Sequence, residues 1–388
     1  MKKLLISPSN MALGEQESQI YQNILKQATE ISLNLMAVKV ENHPEDFLGW
    51  CYELLDVAKN RINFDLLDDH QLPTVKKLQD LLIAAISFLQ LKTLRIAPWP
   101  MVAAFITSHK EVIALDEQLK LIEYLKPMRS TPLKDMIKED RLAFSGKHAA
   151  NLDTSVYQFD VEWFASTKSA KGFHQLLDDL PGAFDEALAA IPAEGDVTLE
   201  HYQSFMVGYL SAFAGSEEKP TLAPATRLLA MRRPDVFTPI TSSKLDALCQ
   251  ALGVAKLNNR DFERYWTDVV STIKAMPWYT MAAPVDEFET QLAEIKALLP
   301  CLFYYADKDT ATNSNYFKLL HKPQRSGTSG GKKTLRRGKE SAEVLVDRAL
   351  ADESIPEHIR TKRDSIVAEV EKGRSVDETI SLMRTIFG

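Results

Sequence analysis

Apolar residues recur three and four apart along much of this chain, as at Leu78, Leu81, Leu82, Ala85, Ile86 and Leu89. That spacing puts them on one face of an α-helix, and such a face has to be buried against another element. The pattern runs through 15–35, 45–60, 73–92 and 111–126, and the whole chain of 388 residues holds only 15 Gly. The fold class it predicts is mainly α, a multi-domain helical protein. At most a short strand or extended stretch is expected near 155–163, where apolar and polar residues alternate from Ser155 to Trp163.

Punctuating residues divide the chain further. Pro98 and Pro100 end one helix, and Pro127, Pro132 and Gly146 break the pattern beyond it. Ser243 and Asp246 have the spacing of a capping box, and Gly253 stands where a C-terminal cap belongs, so a helix is predicted from Ser243 to Leu252. The expected organisation is an N-terminal helical domain over 1–130, an irregular connection over 131–172, and a central helical domain over 173–309. A basic flexible arm over 310–339 and a small C-terminal helical unit over 340–388 follow.

The charge is distributed unevenly. The formal net charge is −7, yet residues 310–339 hold eight basic residues and no acidic one: Lys318, Lys322, Arg325, Lys332, Lys333, Arg336, Arg337 and Lys339. Setting them aside leaves 38 basic against 53 acidic residues, a formal −15 on the rest of the chain. A local basic run attracts phosphates whatever the sign of the total, because binding follows the local field. The same run also fits a solvated tail or a segment that docks on an acidic protein.

Several chemistries lack their signatures. The stretch from Gly327 to Thr334 resembles a phosphate-binding loop, but three residues separate Gly327 from Gly331 instead of four, and Lys333 displaces the hydroxyl residue. The eight His form no HxxxH or HExxH, and Cys51, Cys249 and Cys301 lie far apart with no zinc spacing, so no metal and no cofactor is expected. Asp153, Asp160, Glu162 and Lys168 suggest a nuclease core only superficially, since Trp163 follows the carboxylates and Lys168 is out of register. The opening MKKLLISPSN offers only Leu4, Leu5 and Ile6 as an apolar core, too little for an export signal. Ser87 and Gln90 interrupt the stretch Leu81 to Leu91, too short for a membrane span. A cytoplasmic protein with no membrane partner is the expectation.

One stretch stands apart. Arg227, Arg232, Arg233 and Lys244 flank a Pro-bounded turn between two helices, with aromatic residues following at Tyr265, Trp266, Trp278 and Tyr279. Such a hairpin can grip a phosphate at a helix N-terminus, or can pair its arginines with surface acids. The run Arg227-Leu-Leu-Ala-Met-Arg-Arg-Pro-Asp-Val-Phe-Thr-Pro-Ile240 resembles segments of bacterial restriction and phage-defence proteins, and more distantly the helix-hairpin-helix part of base-excision glycosylases. The likeness spans about 224–279, and Thr241-Ser242-Ser243 stands where a glycosylase carries its catalytic Asp. The resemblance thus implies DNA contact and argues against base excision.

The function expected from these readings is a non-catalytic, nucleic-acid-binding component of a defence or DNA-processing assembly, with DNA and other protein subunits as partners. Arg227, Arg232, Arg233, Lys244, Lys322, Arg325, Lys332, Lys333, Arg336, Arg337 and Lys339 are the expected phosphate contacts. A helical adaptor whose arm docks on an acidic partner, and a metal-dependent nuclease, are the alternatives.

Overall fold

The computed structural model describes residues 3–41, 44–149, 153–281, 286–304 and 310–321, and in the C-terminal part 346–347, 349–350, 355–371, 376 and 379–380. It divides into two compact units, 1–322 and 323–388. Both are helical, as the apolar spacing predicts. Among the described residues the β structure is one antiparallel pair, β1 (Lys3–Leu4) with β2 (Lys39–Val40), in the register Lys3 to Val40 and Leu4 to Lys39.

The first unit opens with α1 (Glu15–Glu30), α2 (Phe47–Asn60) and α3 (Leu72–Leu94). Asp46 caps α2 by accepting from the Gly49 amide at 2.7 Å, and α1 starts under a Glu17 carboxylate that accepts from the Gly14 amide at 2.8 Å. The long α3 is the spine. Its first half buries one stripe (Val75, Leu78, Leu82), while from Ala85 to Leu91 every residue is buried, because α1 and α2 lie against it together with two later helices. The break predicted at Pro98 and Pro100 is a sharp corner into α4 (Trp99–His109), whose Pro100 sits in the first turn where its missing amide costs nothing.

After α4 come α5 (Leu115–Leu125), α6 (Lys138–Ser145), α7 (Lys171–Asp179), α8 (Pro181–Ala189), α9 (Leu199–Ser211), α10 (Leu222–Arg232) and α11 (Leu245–Leu252). A helical run then continues as α12 (Phe262–Arg264), a π-helical turn Tyr265–Val270 and α13 (Ser271–Lys274). The rest of this unit is α14 (Pro277–Thr280), α15 (Glu287–Glu294), α16 (Leu299–Tyr304), α17 (Thr310–Asn313) and α18 (Asn315–Leu320). The cap predicted at Gly253 is present, with φ 72°. Ser243 lies instead in a 3-10 turn, Ser242–Lys244, that precedes α11.

One core runs from Leu5 to Phe303, and α3 packs on α11 and α16. The 131–172 stretch is therefore built into this unit and does not join two separate helical domains. Its alternating residues are buried as a strand's would be, but their backbone forms turns. Tyr157 and Phe159 pack on Tyr124 of α5 with ring centroids 5.4 and 5.1 Å apart. The carbonyls of Val161, Trp163 and Phe164 bond to the Arg227 side chain. An arginine takes the place of a neighbouring strand as hydrogen-bond partner.

α6 ends beside this loop at Gly146, with φ 83°, where the Lys147 amide bonds the Leu142 carbonyl at 3.0 Å. A Cβ at Gly146 would stand 2.7 Å from the Ala165 oxygen. Gly146→Ala is expected to lower the unfolding free energy by about 2 kcal/mol, from the left-handed backbone and the clash together. Urea denaturation of the variant checks this, and an unchanged midpoint would refute it.

The second unit has its own small core of Val346, Leu350, Ile355, Ile359, Ile366, Val367 and Ile380. Helices Glu357–Arg360 and Arg363–Glu371 carry part of it, and Arg363 bonds both carboxylate oxygens of Asp347, at 2.5 and 2.8 Å.

Candidate nucleic-acid interface

The arginines of the hairpin face inward. Arg227 is 0% exposed, because α10 is buried at every position from Leu222 to Met231. Its Nε donates to the Phe144 carbonyl at 3.1 Å. Its Nη1 donates to those of Trp163 and Phe164, and its Nη2 to those of Ala143 and Val161 at 3.0 and 3.1 Å. Arg233 is 6% exposed and forms a two-pronged pair with Asp235, Nε and Nη2 each 2.8 Å from an oxygen, while also bonding the Pro192 and Gly195 carbonyls at 2.7 Å. This pair holds the Arg233 guanidinium above its ordinary range, against burial, which alone would lower it.

The expectation that Arg227 and Arg233 reach phosphates is corrected accordingly. Both guanidinium groups are spent on the protein's own carbonyls and on Asp235, and a duplex backbone cannot enter the space they occupy. Arg232 is half-buried and donates to the Arg129 carbonyl. It lines a cleft of about 300 Å³ with Ser130, Lys134 and Asp185, whose carboxylate already accepts the Leu133 and Lys134 amides at 2.5 and 3.1 Å. Lys244 is half-buried at its 3-10 turn. Lys322, Arg325, Lys332, Lys333, Arg336, Arg337 and Lys339 lie outside the described residues.

The start of the basic segment is described, and it is helical and anchored. The expected arm begins at residue 310, but α17 and α18 occupy 310–313 and 315–320, and Ser314 between them is buried. Two carboxylates of the body hold this junction. Asp160, 6% exposed, accepts from the Asn315 amide at 2.6 Å, from His148 Nε2 at 2.6 Å, from the Glu162 amide at 2.9 Å and from Asn315 Nδ2 at 3.3 Å. Glu117 accepts from the Asp160 amide and Trp163 Nε1, both at 2.8 Å, and from the Ser314 hydroxyl at 3.1 Å. Burial alone would raise both carboxyls. The bonds from His148, Asn315 and Glu162 bring Asp160 below its ordinary range, whereas Glu117, beside the charged Asp160, stays above its own despite its three donors.

The same network bears on the nuclease alternative. Asp160 is filled by protein donors, and Glu162 accepts from Ser166 at 2.9 Å and from Lys168 at 3.0 Å. Among the described residues no group of three or more His, Cys, Asp and Glu is arranged to hold a metal. The cysteines are reduced and buried, and burial pushes the Cys301 thiol up to about 12. No helix of the described residues is long and apolar enough to cross a membrane.

Beyond its anchor, α18 presents a partly open aromatic face. Phe317 is 36% exposed, Tyr316 is half-buried, Lys318 is exposed, and His321 packs on the Phe317 ring at 4.1 Å between centroids. Of the residues that anchor this root, Glu117, His148, Ser314 and Asn315 are absent from the sequence expectation. Asp160 enters there only as a candidate metal ligand. No protein-family model, curated protein or solved structure matches the chain.

Proposed function

We propose that the chain is a nucleic-acid-binding protein, acting without catalysis as a subunit of a bacterial phage-defence or DNA-processing assembly, and that the basic segment 310–339 makes its phosphate contacts. The observation that carries this reading is the charge segregation: eight cations and no anion in that segment, against a formal −15 elsewhere. The aromatic face of α18 supports it, since Phe317 and Tyr316 beside Lys318 can stack on bases while cations follow the backbone. Arg227 and Arg233 drop out of the contact set, which leaves Arg232 and Lys244 of the hairpin beside the basic segment.

The test uses the full chain and a variant with Lys322, Arg325, Lys332, Lys333, Arg336, Arg337 and Lys339 all changed to Gln. Fluorescence anisotropy against single- and double-stranded DNA and RNA at several salt concentrations is the measurement. The unaltered chain is expected to bind with log K falling against log salt by about 0.9 per duplex phosphate contact, or about 0.7 for a single strand. The variant is expected to lose most of that slope. Absence of binding at low salt, or an unchanged slope in the variant, would refute the reading, and capture of an acidic protein would then favour the adaptor role.

A further inference from the structure

The cleft beside Arg232 brings together charges that the fold leaves apart. It encloses about 300 Å³ and is lined from α6, α8, the last residue of α10 and the 3-10 turn Leu133–Asp135. Its charged lining residues are Arg232, Lys134, Asp185 and Glu186, two of each sign, and its apolar wall includes the buried Phe144 and Leu188. Among the described residues none of the four charges takes part in an ion pair. The neighbouring cations Lys138 and Arg141 both turn to Asp178, at 3.2 and 3.5 Å.

The two half-buried members of this set each have hydrogen-bonding capacity to spare. Arg232 gives Nη1 to the Arg129 carbonyl, while its Nε is out of solvent and has no partner. Burial accordingly pushes its guanidinium below the ordinary range, although Asp185 acts the other way. Asp185 accepts the Leu133 amide on Oδ1 at 2.5 Å and the Lys134 amide on Oδ2 at 3.1 Å, which leaves each oxygen a second acceptor position. A guanidinium short of acceptors and a carboxylate with room for donors thus line one cleft without pairing. A lone anion would satisfy the first and leave the acids uncompensated, and a lone cation would do the reverse. A molecule carrying both charges satisfies both.

We propose that this cleft binds a zwitterionic α-amino acid with an apolar side chain. Its carboxylate meets Arg232 and Lys134, its ammonium meets Asp185 and Glu186, and its side chain lies against Phe144 and Leu188. The volume is at the small end of ligand sites, which suits a single amino acid and not a peptide. The site needs nothing from segment 310–339.

The test is calorimetric titration of the full chain with L-leucine, with 4-methylpentanoate, which lacks the ammonium, and with 3-methylbutylamine, which lacks the carboxylate. Saturable binding of leucine is expected, and each single-charge analogue is expected to bind at least about tenfold more weakly. Arg232→Met is expected to weaken leucine by a similar factor and Arg232→Lys to restore part of it. Glu186→Gln, at an exposed position, is expected to weaken leucine and to leave 4-methylpentanoate unchanged. The analogue series needs no substitution, so it decides the matter even where Arg232→Met does not fold. The variant with seven Gln in the basic segment is expected to bind leucine normally, so the two proposals fail separately. No saturable heat from leucine, equal affinity for leucine and 4-methylpentanoate, or full leucine binding by a folded Arg232→Met would overturn the site.

Discussion

Replacing Arg227 by Met is expected to lower the unfolding free energy by about 3 to 5 kcal/mol, the range found when one partner of a buried charged network is removed. Met keeps the bulk of the side chain and removes its donors. Five carbonyls then lose a bond in a place that water reaches poorly: Ala143 and Phe144 in the last turn of α6, and Val161, Trp163 and Phe164 in the loop beyond. The first two are end-of-helix carbonyls, of which Ala143 also accepts from the Gly146 amide at 3.2 Å, and a cation there meets the negative end of the helix dipole. Arg227→Lys is expected to recover only a minor part, because a single ammonium cannot span α6 and the loop together. Guanidinium denaturation gives the stability. Near-ultraviolet circular dichroism reports the packing of Trp163. A loss under about 1 kcal/mol would show that the loop is held by its aromatic residues and not by the arginine.

The burial of Arg227 was legible in part. The residues around it in α10 (Leu222, Ala223, Ala225, Leu228, Leu229, Ala230, Met231) are apolar on every side of the helix, and a helix apolar all round is an interior helix. Reading Arg227 with Arg232 and Arg233 as one basic group gave weight to charge where periodicity was the stronger signal. The alternative pairing of hairpin arginines with acids holds for Arg233, whose partner Asp235 is two residues on. Helices such as α2 and α3 could be read closely because they announce themselves within a dozen residues, through spacing, prolines and caps, whereas α17 and α18 fall in a stretch read as a flexible arm. Gly253 is one such local mark.

The 155–163 alternation shows where local reading stops. A period of two reports that alternate residues are buried, and that is true of Tyr157, Phe159, Val161 and Trp163. It does not report what takes the backbone bonds, and here the partner is a side chain 63 or more residues away. Long separation also hid the anchor of the basic segment, since Asp160 meets Asn315 across 155 positions and Glu117 meets Ser314 across 197. The charge run itself needs no fold to be seen, so the nucleic-acid reading came from composition.

Asp160→Ala is expected to cost about 3 kcal/mol and to release the root of the basic segment. The carboxylate accepts bonds from His148, Glu162 and Asn315, so its removal leaves donors in a buried place and takes away the acceptor at the first amide of α18. Hydrogen exchange should show this locally. The Asn315 amide, bonded to Asp160, and the Phe317 amide, bonded to Ser314, are expected to lose protection in the variant, while α1 to α3 change only by the global loss of stability. The pH dependence adds a signed check. Asp160 titrates below its ordinary range in the fold, so its contribution is complete above about pH 4 and disappears as pH falls through the lower folded value. Glu117 has the opposite sign: its raised carboxyl costs stability when ionised, and that cost is relieved first on acidification. The difference between the unaltered chain and Asp160→Ala should therefore be largest near neutral pH and shrink below about pH 4. A constant difference from pH 7 to pH 3 would mean that Asp160 acts there by its volume and not by its charge. Unchanged exchange at Asn315 would mean that α18 is held by the Ser314 bond to Glu117.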